Sequence, residues 1–396
     1  MMNQERWLLP DGIEEILPPD SWVVESLRRE LLDLYKSWGY DLIMPPLVEY
    51  LESLLTGSGA DLDLKTFKLI DQQSGRMMGV RADITPQAAR IDAHKLRRNA
   101  PVRLCYLDAV LHTCSEGFAS SRSPLQVGAE LFGHSGIDSD VEVLCLMLET
   151  LKKTGVKDVH VDLGHVGIFR ALAQDAGLSE TQETRLFDAM QRKALPEIAE
   201  QLSSLNLDEK GQQCLSRLSR LACLHGDESV LVEAHQLLDD AGEAVCAALH
   251  NLEQIAVLVK QRVPDVTLFF DLAELRGYAF HTGVVFAAFV AGSGQELARG
   301  GRYDDIGGVF GRSRSATGFS ADLKVLLRVA AVEQANMCDG ILAPAGHDID
   351  LLQTIQDLRC SGERVVCALA ESEDTTVMCC DRVLEQQNGQ WVVVKL

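Results

Sequence analysis

Hydrophobic and polar positions change period several times along the chain, and each change marks an element. Val24, Leu27, Leu31, Tyr35 and Trp38 recur at helical spacing. They predict a helix with Asp20 as N-cap after Pro18-Pro19, closed by a turn at Gly39. An extended segment over 40–46 follows and stops at Pro45-Pro46. Positions 66–70 and 76–80 read as short strands around the turn-rich stretch 71–75. Thr85 before Pro86 predicts a helix start, with Thr as N-cap and Pro at the first helical position. Two strands are predicted over 106–112 and 125–132, joined by a long polar loop. In the second, Leu125, Val127, Ala129 and Leu131 take one face and Gln126, Gly128, Glu130 and Phe132 the other. An amide, a bare backbone and a carboxylate in a row make a polar-walled groove, and a mid-strand glycine often marks a close approach by a ligand or backbone.

Ser139-Asp140-Val141-Glu142 has the pattern of a capping box ahead of an apolar helix over 143–151. Val159, Val161 and Leu163 alternate as a central strand. From about 166 to 261 the text turns to helix-favouring repeats of Leu, Ala, Gln and Glu. This predicts a helical insertion whose leucine stripes are core and which holds no chemical motif. A strand resumes at 269–272, and a linker at 334–340 leads into a short α/β unit. That unit consists of a strand at 341–343, a helix at 350–359, a strand at 364–369 and a hairpin turned at Asn388-Gly389 before 391–394.

With 396 residues, 46% of them hydrophobic, the chain has material for two or three domains. A formal net charge of −21 repels a polyanion, and nucleic-acid binders normally carry a basic footprint. Residues 331–396 alone hold eleven acidic and four basic side chains, a net of −7. The eleven cysteines are odd in number and include no C-x-x-C pair, so they read as small hydrophobes in a reducing compartment. No 18-residue apolar run and no signal peptide occur, which predicts a soluble, cytoplasmic protein.

The strand–loop–strand stretch over 106–133, with its run Gln126-Val127-Gly128-Ala129-Glu130, resembles motif 2 of class II aminoacyl-tRNA synthetases, in particular the histidyl-tRNA synthetase group. The helix and extended segment over 20–46 are similar to motif 1, which implies a self-dimer. Arg81-Ala82-Asp83-Ile84-Thr85 resembles the run whose Glu and Thr bind the histidine ammonium, with Asp83 one methylene shorter. The stretch 275–283 resembles the histidyl signature Arg-Gly-Leu-Asp-Tyr-Tyr, keeping Arg276 and Gly277 and replacing the two tyrosines by Phe280 and His281. Arg299-Gly300-Gly301-Arg302-Tyr303-Asp304 matches the family's Gly-Gly-Arg-Tyr-Asp turn, and 316–326 is similar to motif 3. The resemblance covers about 9–327. It implies an α+β fold: a class II synthetase-like antiparallel sheet with flanking helices over 1–330, the helical insertion at about 166–261, and a small C-terminal α/β domain over 335–396.

The resemblance also implies a histidine site. Asp83, Thr85 and Gln126 would take the ammonium, Arg276 the carboxylate and Glu130 an imidazole N–H, with Tyr278 and His281 alongside. The nucleotide half departs from the family. His112 stands where the phosphate-binding Arg belongs, Cys114 where the Glu belongs, and Val325 where the second clamping Arg belongs; only Arg122 or Lys324 could substitute. A retained histidine face, a lost ATP clamp and a reduced C-terminal unit resemble the synthetase-like regulatory subunits of ATP phosphoribosyltransferase. That likeness implies a regulatory subunit without catalysis or cofactor of its own, with L-histidine as allosteric ligand in feedback inhibition of the first step of histidine biosynthesis. It further implies a short catalytic subunit as partner, self-dimers within a hetero-octamer, and no tRNA or membrane. The alternatives are an active histidyl-tRNA synthetase, a paralogue that activates histidine for another carrier, and a histidine sensor with a different partner.

Overall fold

The 125–132 stretch lies in the interior of a nine-stranded sheet. The computed structural model describes residues 7–56, 60–115, 121–205, 207–275, 277, 280–304, 306–330, 339–369 and 378–396. It divides into two compact units, one of 1–15 and 24–331, the other of 16–23 and 332–396.

Helix α1 (Asp20–Ser37) leads into β1 (Asp41–Leu42). A small antiparallel sheet follows, made of β2 (Val48–Tyr50), β3 (Phe67–Ile70) and β4 (Met77–Val80), with α2 (Leu51–Leu55) and α3 (Ala60–Lys65) between its first two strands. Helix α4 (Thr85–Arg90) precedes the hairpin of β5 (Val102–Ala109) and β6 (Leu125–Phe132). Then come α5 (Ile137–Lys153), β7 (Val159–His165) and the helices α6 (Val166–Asp175), α7 (Glu180–Gln191), α8 (Leu195–Ser203) and α9 (Glu209–Leu221). The short β8 (His225–Gly226), α10 (Ser229–Leu238) and α11 (Glu243–Arg262) return the chain to β9 (Thr267–Asp271). Finally β10 (Val284–Val290), β11 (Ala298–Arg302), α12 (Ile306–Val309), β12 (Ala316–Asp322) and α13 (Leu323–Val329) complete the unit.

The sheet order is β1-β5-β6-β12-β11-β10-β7-β9-β8, antiparallel except at β1–β5 and β7–β9. Alternation along β6 sorts its side chains as expected. Val127, Ala129 and Leu131 join the large core under α1, α5 and the 166–262 helices, whereas Phe132 joins a second cluster with Ala88, Tyr303 and Phe310. The leucine stripes of α6 to α11 belong to that same large core. Leu31 and Tyr35 of α1 are buried in it, and Tyr35 bonds Thr150 of α5 at 3.1 Å. Both faces of β6 are therefore covered, so burial alone does not separate the groove face from the core face.

Three caps differ from expectation: α1 already begins at Asp20, the residue expected to cap it. Helix α4 is capped at Ile84, and the Thr85 N–H donates to Asp83 Oδ1 at 2.9 Å, so the aspartate side chain takes the orphan donor while the Thr85 hydroxyl turns inward. No capping box forms at 139–142. Helix α5 already begins at Ile137 with Gly136 as N-cap; the Ser139 hydroxyl donates to Gly136 O, and Glu142 takes a bidentate bond from Arg103 at 2.6 and 2.7 Å.

The second unit packs α14 (Ile349–Cys360) on a four-stranded sheet of β13 (Gly340–Ala343), β14 (Val365–Cys367), β15 (Cys380–Gln387) and β16 (Gln390–Lys395), in the order β14-β13-β15-β16. Ile341, Leu351, Ile355 and Leu384 form its core. Asn388 and Gly389 both have positive φ, 52° and 82°, as a tight hairpin turn between β15 and β16 requires. Most of the expected linker at 334–340 lies outside the described residues. Among the described residues, no helix is long and apolar enough to cross a membrane.

Candidate functional site

The loop before α4 is held by Arg81, a fully buried guanidinium that donates to Ala109 O at 2.9 Å and Pro45 O at 2.7 Å and pairs with Asp108 at 2.8 Å. That brace fixes Asp83 against β6. Gln126 Nε2 donates to Asp83 Oδ1 at 2.8 Å, and Gln126 Oε1 accepts from Ile84 N at 3.0 Å. Both ends of the Gln126 amide are thus engaged by the loop, and its part is to position Asp83.

Glu130 is 1% exposed. Tyr106 donates to its Oε1 at 2.9 Å, and the Tyr303 hydroxyl donates to Oε2. Burial outweighs these two bonds and pushes the carboxyl up to about 8. Thr85 Oγ1 lies 3.2 Å from the Tyr106 hydroxyl, so Thr85, Tyr106, Glu130 and Tyr303 form one chain of polar contacts. Two glycines make room for it. Tyr106 crosses over Gly128, where a Cβ would come within 2.5 Å of the phenol oxygen, and a Cβ on Gly318 would fall on Glu130 Oε2. The close approach signalled by Gly128 is therefore a phenol reaching along its own sheet.

A cavity of about 270 Å³ opens here, lined among others by Asp83, Thr85, Glu130, Glu274, His281 and Tyr303. Its size suits one small molecule. A second cavity of about 220 Å³ adjoins it, lined by Gln126, His112, Asp322 and Val325 among others. Asp83, Lys65, Glu296, Arg299 and Ser320 line both, so the two are halves of one groove across β6, β12 and β11.

The second half carries no phosphate clamp at the positions the resemblance points to. His112 Nε2 meets Ala82 O at 2.9 Å, and burial, with Lys65 and Arg299 nearby, lowers its proton affinity and keeps the ring neutral. Val325 offers only methyl groups. Cys114 is exposed and lines neither cavity. Of the two candidate substitutes, Arg122 donates to His112 O at 3.1 Å and Asp11 O at 2.9 Å, and Lys324 Nζ donates to Ser123 Oγ at 3.3 Å. Both are turned to loop carbonyls and hydroxyls.

The structure thus gathers Asp83, Thr85, Glu130 and His281 on one cavity, with Gln126 behind Asp83. Arg276 and Tyr278 lie outside the described residues. Sequence reasoning missed Tyr106 and Tyr303 as site residues. The signal for Tyr106 was available, because its β5 position pairs with Gly128. Tyr303, contributed from a turn after β11, had none beyond its place in the Gly-Gly-Arg-Tyr-Asp run.

Comparison with known proteins adds a second line. Residues 12–326 match the family model described as histidyl-tRNA synthetase, and residues 338–394 match that of the ATP phosphoribosyltransferase subunit HisZ C-terminal domain. The ATP phosphoribosyltransferase regulatory subunit of Thioalkalivibrio sulfidiphilus is 57% identical over the full length of both chains. That of Alkalilimnicola ehrlichii is 53% identical over 98% of this chain and 97% of its own. Among solved structures, an ATP phosphoribosyltransferase regulatory subunit/histidyl-tRNA synthetase from Bacillus halodurans superposes with a TM-score of 0.82 at 29% identity, covering 94% of this chain and 95% of that one.

Proposed function

The chain belongs to the family of ATP phosphoribosyltransferase regulatory subunits, and from that membership we propose that it is a histidine-sensing subunit with no catalysis of its own. It pairs with a short catalytic chain, raises that chain's activity, and lowers it again when histidine binds. Self-dimers within a hetero-octamer are the assembly the family likeness suggests, and neither tRNA nor a cofactor is part of the reading.

The single observation that carries it is the contrast within one groove. At one end Asp83, Thr85 and Glu130 offer fixed acceptors for an ammonium and an imidazole N–H; at the other the phosphate-facing positions are a neutral His112 and Val325. The ammonium would sit against Asp83, braced by Gln126, and the imidazole against Glu130 beside His281; the resemblance adds Arg276 and Tyr278 to the set. Charge-assisted bonds of about 1.5–3 kcal/mol each are enough to hold a micromolar ligand after ordering costs. Adenylate formation would need fixed cations on the phosphates, and losing one such group costs roughly 10²–10³ in rate. Allostery requires that histidine prefer one state of the complex, and linkage requires that substrates of the catalytic chain then alter histidine affinity by the same factor.

The test reconstitutes the complex with a short ATP phosphoribosyltransferase chain and follows phosphoribosyl transfer. The expected result is stimulation by this chain, inhibition by histidine, and loss of inhibition but not of stimulation in Glu130→Ala. Histidine-dependent ATP–pyrophosphate exchange by this chain alone, or no effect on the catalytic chain, would overturn the proposal.

A further inference from the structure

Two cations stand where the two cavities join. Lys65 at the end of α3 and Arg299 on β11 each line both, and among the described lining residues they are the only Lys or Arg of either cavity. They arrive from different elements. Register pairs Arg299 with Ser320 and Ser320 with Gly128, which puts Arg299 on the same sheet face as Gln126 and Glu130, two strands away. That is about 10 Å at the usual strand spacing. Lys65 comes from outside the sheet on a segment clasped to residue 113: Thr113 N donates to Lys65 O at 2.9 Å, and Thr113 Oγ1 donates to Leu64 O at 2.5 Å. Both lie inside the region of resemblance, but neither is among the positions to which it assigns a histidine-binding role; Arg299 opens the run that ends in the Gly-Gly-Arg-Tyr-Asp turn.

The ligand's own geometry decides what these cations meet. In an α-amino acid the ammonium and the carboxylate share one carbon, so a ligand with its ammonium on Asp83 brings its carboxylate beside Asp83 too. Besides Lys65 and Arg299, the titratable groups lining the two cavities are the acids Asp83, Glu130, Glu274, Glu296 and Asp322 and the imidazoles of His112 and His281. A bare carboxylate there is repelled unless a cation answers it. Arg299 pairs with Glu296 at 2.8 Å, and its side chain is 54% exposed.

We propose that Lys65 and Arg299 form the seat for the carboxylate of the bound amino acid, and that they select histidine over imidazoles lacking a carboxylate. The inference rests on the histidine reading above and deepens it. It also gives the lost clamp a chemical counterpart: a carboxylate seated between two side-chain cations is held in place, with its charge answered by protein where an activating enzyme would present it to a phosphate.

Calorimetry on the full chain tests this with L-histidine and histamine, its decarboxylated form, against wild type, Lys65→Met, Arg299→Met and the double variant. Wild type is expected to prefer histidine by about 100-fold or more, each single variant to lose roughly tenfold of that preference, and the double variant to bind both ligands alike, with histamine affinity unchanged throughout. Lys65→Arg and Arg299→Lys should restore the preference, which separates lost charge from lost packing. Unchanged preference in the double variant, or loss of preference only in Arg276→Met, overturns the seat and leaves the histidine reading intact. Absence of histidine binding in wild type overturns both.

Discussion

The two halves of the groove are built from the same strands and differ in how they treat charge. At the Glu130 end a carboxylate is buried, two phenols are turned onto it, and glycines clear the space around it. At the His112 end a cavity of about 220 Å³ remains, but the two positions matched to the family's arginines hold a neutral ring and an isopropyl group. Shape has therefore outlasted chemistry at one end and not at the other. A family fold carries its cavities along with its backbone, whereas the activity each cavity supports depends on a few side chains that can be exchanged without disturbing the sheet.

The largest expected break in this contrast is Gly318→Ala. The new methyl falls on Glu130 Oε2, so histidine binding should vanish and stability drop by about 3 kcal/mol, the upper range for overpacking. The matching change at the other end, Val325→Ala, should leave histidine affinity unaltered and cost about 1 kcal/mol. Urea unfolding and calorimetry read both.

Next in size is Glu130→Gln, which should weaken histidine roughly tenfold by replacing the buried carboxyl acceptor with an amide. Its pH signature is distinct. The folded carboxyl sits at about 8, above its ordinary value of 4.5. Its contribution to stability is full below pH 4.5 and is lost as pH rises toward 8. Thermal unfolding across that window should flatten in the Gln variant, and unchanged slopes would count against the buried-acid assignment.

The nucleotide end can be sharpened by putting guanidinium groups back. His112→Arg with Val325→Arg should raise ATP affinity by about tenfold, from two added charge-assisted contacts partly offset by repulsion from Lys65 and Arg299, and leave histidine affinity alone. Equilibrium dialysis with ATP decides it.

The smallest effect concerns His165, the buried N-cap of α6, whose Nδ1 accepts from Gly167 N at 3.1 Å. Burial lowers it from 6.5 to about 4. Its stabilisation is present above pH 6.5 and fades as pH falls toward 4, opposite in sign to Glu130, and His165→Asn should remove that fade in a melting series.

Most of the sheet was legible because strand alternation and turn residues write it locally. The 125–132 strand and the Asn388-Gly389 hairpin are examples. The 106–112 strand was placed too late, since β5 spans Val102–Ala109 and His112 already belongs to the loop that folds back on Ala82. Caps were the weakest reading. Thr85 and Ser139 are cap-forming residues whose hydroxyls found other partners, and local pattern does not show those partners. The site was half visible. Asp83, Thr85 and Glu130 come from segments with recognisable runs, while Lys65, Arg299 and Tyr303 converge only when strands far apart in the chain are laid side by side.

Arg302, next to Tyr303, donates to Asp140 Oδ2, Ser139 Oγ, His134 O, Gly136 O and Asp304 Oδ1. One jaw of the groove is consequently bolted to the start of α5, and Tyr303 cannot swing away from Glu130 without dragging that anchorage. The opposite jaw, carrying Lys65, is clasped by residue 113 and tied to β3 through the Lys68–Asp63 pair at 2.8 Å. A guest held between the two would therefore tie the start of α5 to the small β2-β4-β3 sheet.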